Sequence, residues 1–157
     1  MTDSLGATGH WLPVRDGDAR ARALYLRHYS HRSHAVAHPQ GKFAGPGEHL
    51  MLLTVTCDAL FLWRRERYRR DAQTGINCAI FRNEGAVLSS DLVREADDLA
   101  WRRWPGERLF TFVNADRIRS TNPGACFRKA GWRRLPESTK GGLVILERLP
   151  ADWQGGP

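Results

Sequence analysis

INCAIFRNEGAVLSSDLVREADDLAWRRW, residues 76–104, changes its period halfway along. Ile76 to Arg82 is short, apolar and β-prone, which predicts a strand. Residues 83–87, NEGAV, form a glycine-containing loop. Ser89 and Ser90 followed by Asp91 then read as a helix N-cap with a first-turn acid. From Leu92 the spacing is helical: Leu92, Val93, Ala96, Leu99 and Ala100 share one stripe, with Arg94, Asp97, Asp98 and Arg102 opposite. Pro105-Gly106 ends the helix. A strand that passes through a glycine turn into a helix is where α/β sheets bind ligands, so this junction is the first candidate site.

The neighbouring segments extend the pattern on both sides. RLFTFVN, residues 108–114, reads as a strand; because a helix precedes it, it should lie parallel to 76–82 through a right-handed crossover. The polar loop 115–124 leads to a short helix over ACFRKAGW, 125–132, with Gly131 where a C-terminal cap belongs, and GLVILERL, 142–149, closes the sheet. Upstream, HLMLLTVT (49–56), a Cys57-Asp58 turn and ALFLWRRERY (59–68) form a hairpin, which 76–82 extends to a meander beyond the polar turn 69–75. A short strand over His10 to Val14 comes first. A helix from about Asp18 follows, with Ala19, Ala23, Leu24 and the stem of Arg27 on one face. The expected architecture is an α/β (α+β) mixed sheet: antiparallel meander, β-α-β crossover, C-terminal short helix and strand. The expected organisation is a single domain over 1–150 and a flexible tail over 151–157.

Composition bounds the class. At 157 residues, 41% hydrophobic and 26% charged, the chain has one core's worth of apolar residues, a composition that argues against wholesale disorder. It begins with no basic-then-apolar leader and contains no run of ~18 apolar residues, so it is expected to be cytoplasmic, neither secreted nor membrane-spanning. Cys57, Cys78 and Cys126 are odd in number and lack CxxC spacing, which fits free thiols in a reducing compartment. Lys plus Arg number 24 against 17 Asp plus Glu, a formal charge of +7 and a pI near 10.0, with arginine far outnumbering lysine. Guanidinium forks and a basic surface suit an anionic partner, DNA or RNA among them; an arginine-rich genome would produce the same bias.

The order of elements over His49 to Leu149 resembles the GNAT superfamily of N-acyltransferases. In that family a meander strand leads into a helix whose N-terminus receives the cofactor pyrophosphate. INCAIFRNEGAVLSSDLVREADDLA is similar to that piece, and RLFTFVN followed by STNPGACFRKAGWRR is similar to the family's fifth strand, asparagine, short helix and Gly-aromatic ending. The family loop Q/R-x-x-G-x-G/A is met at Arg82 and Gly85 and departs at Val87; the tyrosine often used as general acid corresponds to Phe127. These departures point to a divergent branch. A looser resemblance, through His28-Tyr29 at the end of an early helix and the basic charge, is to the Mom-type phage DNA-modification proteins, which alter the adenine amino group.

The resemblance implies a transferase that moves an acyl or acyl-derived group from acyl-CoA to an amine, on a nucleic-acid base, a protein or a polyamine. It places Arg82, Asn83, Gly85, Ser89 and Ser90 at the phosphates, and Asn114 and Asn122, the latter with Ser120 and Thr121, on the edge facing the acyl group. Ser, Thr and Asn before a proline also make a helix cap without any ligand. His28 and His31 titrate in the range needed to take an amine's proton, and Tyr29 can return one. The run His28, His31, His34, His38 has no carboxylate or cysteine at a recognised metal spacing, so no metal is expected. Cys126 reads as a buried small hydrophobe before it reads as a nucleophile. Arg32 and the interleaved Trp63, Arg64, Arg65, Arg67, Tyr68, Arg69 and Arg70 can stack bases and neutralise phosphates, and equally fit a strand running out into solvent. The rival class is a non-catalytic nucleic-acid-binding module on the same scaffold.

Overall fold

The computed structural model describes residues 9–28, 41–66, 73–114 and 124–153. One mixed sheet joins seven strands: β1 (Trp11–Val14), β2 (Glu48–Thr54), β3 (Ala59–Arg65), β4 (Ile76–Asn83), β5 (Leu109–Val113), β6 (Arg133–Ser138) and β7 (Val144–Arg148). Their order across the sheet is β1-β2-β3-β4-β5-β7-β6. Every pairing is antiparallel except β4–β5, which is parallel as the intervening helix requires. The helices are α1 (Ala19–Leu26), α2 (Ser89–Arg103) and α3 (Ala125–Lys129).

The two faces carry separate cores. Helix α2 covers one, laying Leu92, Val93, Ala96, Ala100 and Trp101 on Leu52, Phe61, Trp63, Ile76 and Cys78. Full burial of the larger of these, such as Leu92, Val93 and Ile76, contributes about 2 kcal/mol each. The indole N–H groups of Trp11 and Trp63 donate to the carbonyls of Leu92 and Ala96, 2.8 and 3.0 Å, about one helical turn apart, and so fix the helix's position along the sheet. Helix α1 covers the other face, with Ala21 and Leu24 on Met51, Leu53, Leu60, Leu62 and Ile80. Asp18 caps it, accepting from the Arg20 and Ala21 amides.

Several expectations are corrected. The buried face of α1 is Ala21 and Leu24, whereas Ala19 is exposed, because the helix meets the sheet a fraction of a turn round from the expected stripe. Strand β2 stops at Thr54; the connection is the four residues Val55 to Asp58, with Cys57 at a φ of 61° and the Thr54 hydroxyl bonding the Asp58 carboxylate at 2.9 Å. The N-cap position of α2 falls on Leu88, which makes no side-chain cap, and Ser89 and Ser90 are already inside the helix. Strand β6 was not expected, since RRLPES is exposed on both sides and carries no apolar alternation. Asp97, expected on the outer face of α2, is fully buried. Of the tail, Pro150–Asp152 is a 3-10 turn, and Trp153 packs on Trp101 with ring centroids 5.6 Å apart, its N–H donating to Asp98 at 2.8 Å. Residues 154–157 lie outside the described residues.

Candidate functional site

The geometry that singles out one place is the parting of β4 from β5. Strand β4 has eight residues, yet it pairs with β5 only at Ile76, Asn77 and Cys78. At the last of these pairs the buried Thr111 hydroxyl donates to the Cys78 carbonyl, 2.9 Å. The next residue, Ala79, is a bulge: Leu62 pairs with Ile80 and Trp63 with Cys78, leaving Ala79 without a partner on β3. Ala79 and Ile80 consequently both pack on the α1 face, and Phe81 returns to the α2 face. A bulge bends its strand and increases local twist, and here it does so where the parallel neighbour is lost.

Main-chain groups face the opening. Glu84 N donates to Asp58 O at 2.7 Å, so alternation along the antiparallel ladder leaves the Phe81 N–H and C=O pointing away from β3. His28, just past the end of α1, hydrogen-bonds the Phe81 main chain there. It is 8% exposed, and burial, reinforced by the Arg82 charge, holds its imidazole down at about 4. The ring is therefore neutral near pH 7 and a weak base.

The β4–α2 junction lies beyond the opening. Asn83 organises it: its Nδ2 donates to the Val87 carbonyl (2.7 Å) and the Ser89 hydroxyl (2.9 Å), and its Oδ1 accepts from the Gly85 amide (2.9 Å). Gly85 is needed, since a Cβ there would fall 2.4 Å from an Asp58 carboxylate oxygen. No side chain among the described residues caps α2, and helix geometry leaves the first-turn N–H groups without helical acceptors. Ser89 is half-buried and Ser90 buried, while Glu84, Ala86 and Leu88 reach solvent. Arg82 donates to Glu84 (2.5 Å) and to the Arg27 carbonyl (2.8 Å), and Arg27 grips the same carboxylate at 2.7 and 2.9 Å. These two guanidiniums pull the Glu84 carboxyl down to about 2.

Of the residues expected from sequence, Arg82, Asn83, Gly85, Ser89 and Ser90 thus lie together, with His28 beside them. Asn114 follows β5 and is half-buried. Tyr29, His31, Arg32, Arg67, Arg69, Arg70, Ser120, Thr121 and Asn122 lie outside the described residues. Arg64 and Arg65 sit at the far end of the sheet from the junction, opposite the start of β4: Arg64 bonds Pro46 O (2.9 Å) and pairs with Glu66 (3.1 Å), and Arg65 lies 3.9 Å from Glu107. Cys126 is partly buried, and burial raises its thiol, the opposite of what a nucleophile needs. Phe127 packs edge-on against Phe81, 6.0 Å between centroids, so its position carries packing.

Sequence reading missed Ala79, Thr111, Arg27 and Glu84. Nothing in INCAIFRN marks Ala79 as the extra residue, and Arg27 and Glu84 are 57 positions apart. Among the described residues no helix is long and apolar enough to cross a membrane. No protein-family model, no curated protein and no solved structure matches the chain.

Proposed function

We propose that the chain is a GNAT-like transferase that moves an acyl or acyl-derived group to an amine, the amino group of a nucleic-acid base being the favoured acceptor. The observation that supports this is the parting of β4 and β5 at the Ala79 bulge, one strand's length from an uncapped helix start. The first-turn amides of α2 and the flanking Arg82 suit the phosphates of an acyl-CoA. The main chain of β4 beyond the bulge offers N–H groups to a carbonyl lying in the opening, where they would stabilise the oxyanion that develops on attack. Bound there, an acyl-CoA would supply a thioester: the amine nitrogen would bond to the carbonyl carbon as the carbon–sulfur bond breaks, and the proton the amine loses would pass to the leaving thiolate.

His28 is assigned to positioning. A buried imidazole at about 4 accepts protons poorly at neutral pH, and its bond to Phe81 holds in place the stretch of β4 that β5 leaves unpaired. The proton-transfer roles pass to His31 and Tyr29. A second reading, a nucleic-acid-binding module without chemistry, is favoured by Phe127 standing where the family has its tyrosine.

The test is mass spectrometry of nucleosides and proteins from cells producing the chain, against cells lacking it, together with thermal unfolding of the purified protein with and without acetyl-CoA. An acyl-dependent adduct and a raised midpoint are expected. Neither an adduct nor a shift, alongside retained nucleic-acid binding, leaves the second reading.

A further inference from the structure

The charge excess of the chain has a place in the fold that the arginine-rich end of β3 does not explain. The described cations at that end are answered locally, Arg64 by Glu66, Arg65 by Glu107, and Arg103 by Glu48, while Arg67, Arg69 and Arg70 lie outside the described residues. Around the corner between α3 and β6 the balance differs. Residues 128–134, RKAGWRR, place four cations in seven positions with no acid among them. Arg128 and Lys129 form the last turn of α3, Gly131 turns the chain at a φ of 101°, and Arg133 and Arg134 open β6. All four are exposed. Arg133 pairs with Glu147, whereas Lys129 and Arg134 stand in no ion pair among the described residues.

The corner is anchored by packing and lies at an edge. Trp132 is 3% exposed, its N–H donates to Asp97 at 2.9 Å, and its ring lies against Phe127, 4.9 Å between centroids. Strand β6 is the outermost strand, so Arg133 and Arg134, which project to opposite faces, carry charge to both sides of the rim. Arg94, in the first turns of α2, donates to the Lys129 carbonyl at 2.5 Å. The corner therefore packs along the side of α2, and the register Asn77–Phe110–Glu147–Arg133 sets Arg133 level with the start of β4, at the end of the sheet away from the β4–β5 opening.

We infer that the α3–β6 corner is a docking surface for the phosphate backbone of duplex DNA. Cations spread along a rim on a preformed turn match a polymer whose charges repeat at short intervals, and guanidiniums pair with phosphates without reading sequence. The surface rests on the proposal of a nucleic-acid acceptor and adds to it a place for the acceptor's backbone, at the rim of the sheet rather than at the opening. It is measured without turnover, so the two can fail separately.

The experiment is fluorescence anisotropy of a labelled duplex of arbitrary sequence across a salt series. The intact chain should bind with log Kd linear in log salt. Replacing both Lys129→Gln and Arg134→Gln should make that slope shallower by about 2, since each lost phosphate contact removes roughly 0.9. The charge-matched control Arg15→Gln with Arg102→Gln, two exposed cations elsewhere, should leave it unchanged. Both side chains of the test pair are exposed, so its thermal midpoint should match that of the intact chain. Absence of binding, an unchanged slope in the test pair, an equal loss in the control, or equally good competition by polyglutamate or single-stranded RNA would each overturn the assignment.

Discussion

Asp97 enters the core with one oxygen satisfied and one not. Its Oδ2 accepts from Trp132 at 2.9 Å and Arg148 at 2.7 Å, while Oδ1 and the Arg148 Nε are buried without partners among the described residues. Removing one member of such a pair strands the other, at a cost of about 3–5 kcal/mol. Asp97→Ala should lose that much in urea unfolding, and Asp97→Leu combined with Arg148→Met should lose less. Burial pushes the Asp97 carboxyl up to about 7, against its hydrogen bonds to Trp132 and Arg148. Its folded value lies above the unfolded one, so its contribution is complete near pH 4 and is lost as pH rises through 7. His28 is the reverse: held at about 4, it contributes above pH 6.5 and loses that contribution as pH falls toward 4. Between pH 4 and 6.5 the two oppose each other. The stability difference between the intact chain and His28→Asn should therefore grow with pH across that window, by up to about 1.4 kcal/mol per unit. A difference independent of pH would show that His28 is not held neutral.

At the scale of elements, the wedge between β4 and β5 depends on where pairing stops. Thr111 marks that point, because its hydroxyl takes the Cys78 carbonyl at the last shared pair. Thr111→Val keeps the shape of the side chain and removes the bond, leaving a buried carbonyl with less satisfaction. A loss of about 1–2 kcal/mol is expected from denaturant midpoints. Any shift in unfolding midpoint that acetyl-CoA produces in the intact chain should shrink in this variant. If the ligand-induced shift survives intact while stability falls, Thr111 supports the sheet and not the opening.

For the whole molecule, each of the six indole N–H groups finds an acceptor: those of Trp11, Trp63, Trp104, Trp132 and Trp153 tie α2 to other segments through Leu92, Ala96, Glu48, Asp97 and Asp98, and that of Trp101 holds the loop after α2 through the Glu107 carbonyl. The last of them in sequence, Trp153, closes the chain back onto α2 beside Trp101. Trp153→Ala should cost about 1–2 kcal/mol and lower the thermal midpoint by roughly 3–6 °C in calorimetry, with Trp153→Phe between the two. No change would mean that the C-terminal turn rests on α2 without supporting it.

Residue order alone determined the order of every element but β6, the antiparallel meander, the parallel crossover and the neighbourhood of Arg82, Asn83, Gly85 and Ser89. These follow from local periodicity, turn chemistry and the handedness of the βαβ unit, all of which are written along the chain. What only the tertiary structure decided is where long-range partners override local pattern. The polar periodicity of α2 puts Asp97 outside, and Trp132 and Arg148 draw it in. RRLPES shows no strand pattern, and β7 supplies one by pairing. The Ala79 bulge is invisible in INCAIFRN because an extra residue is defined only against the strand it fails to match. The opening and the weakly basic His28 depend on such pairings between distant segments, and no local spacing encodes them; the cations of the α3–β6 corner stand together in the sequence at 128–134, and only the sheet order puts them at its edge.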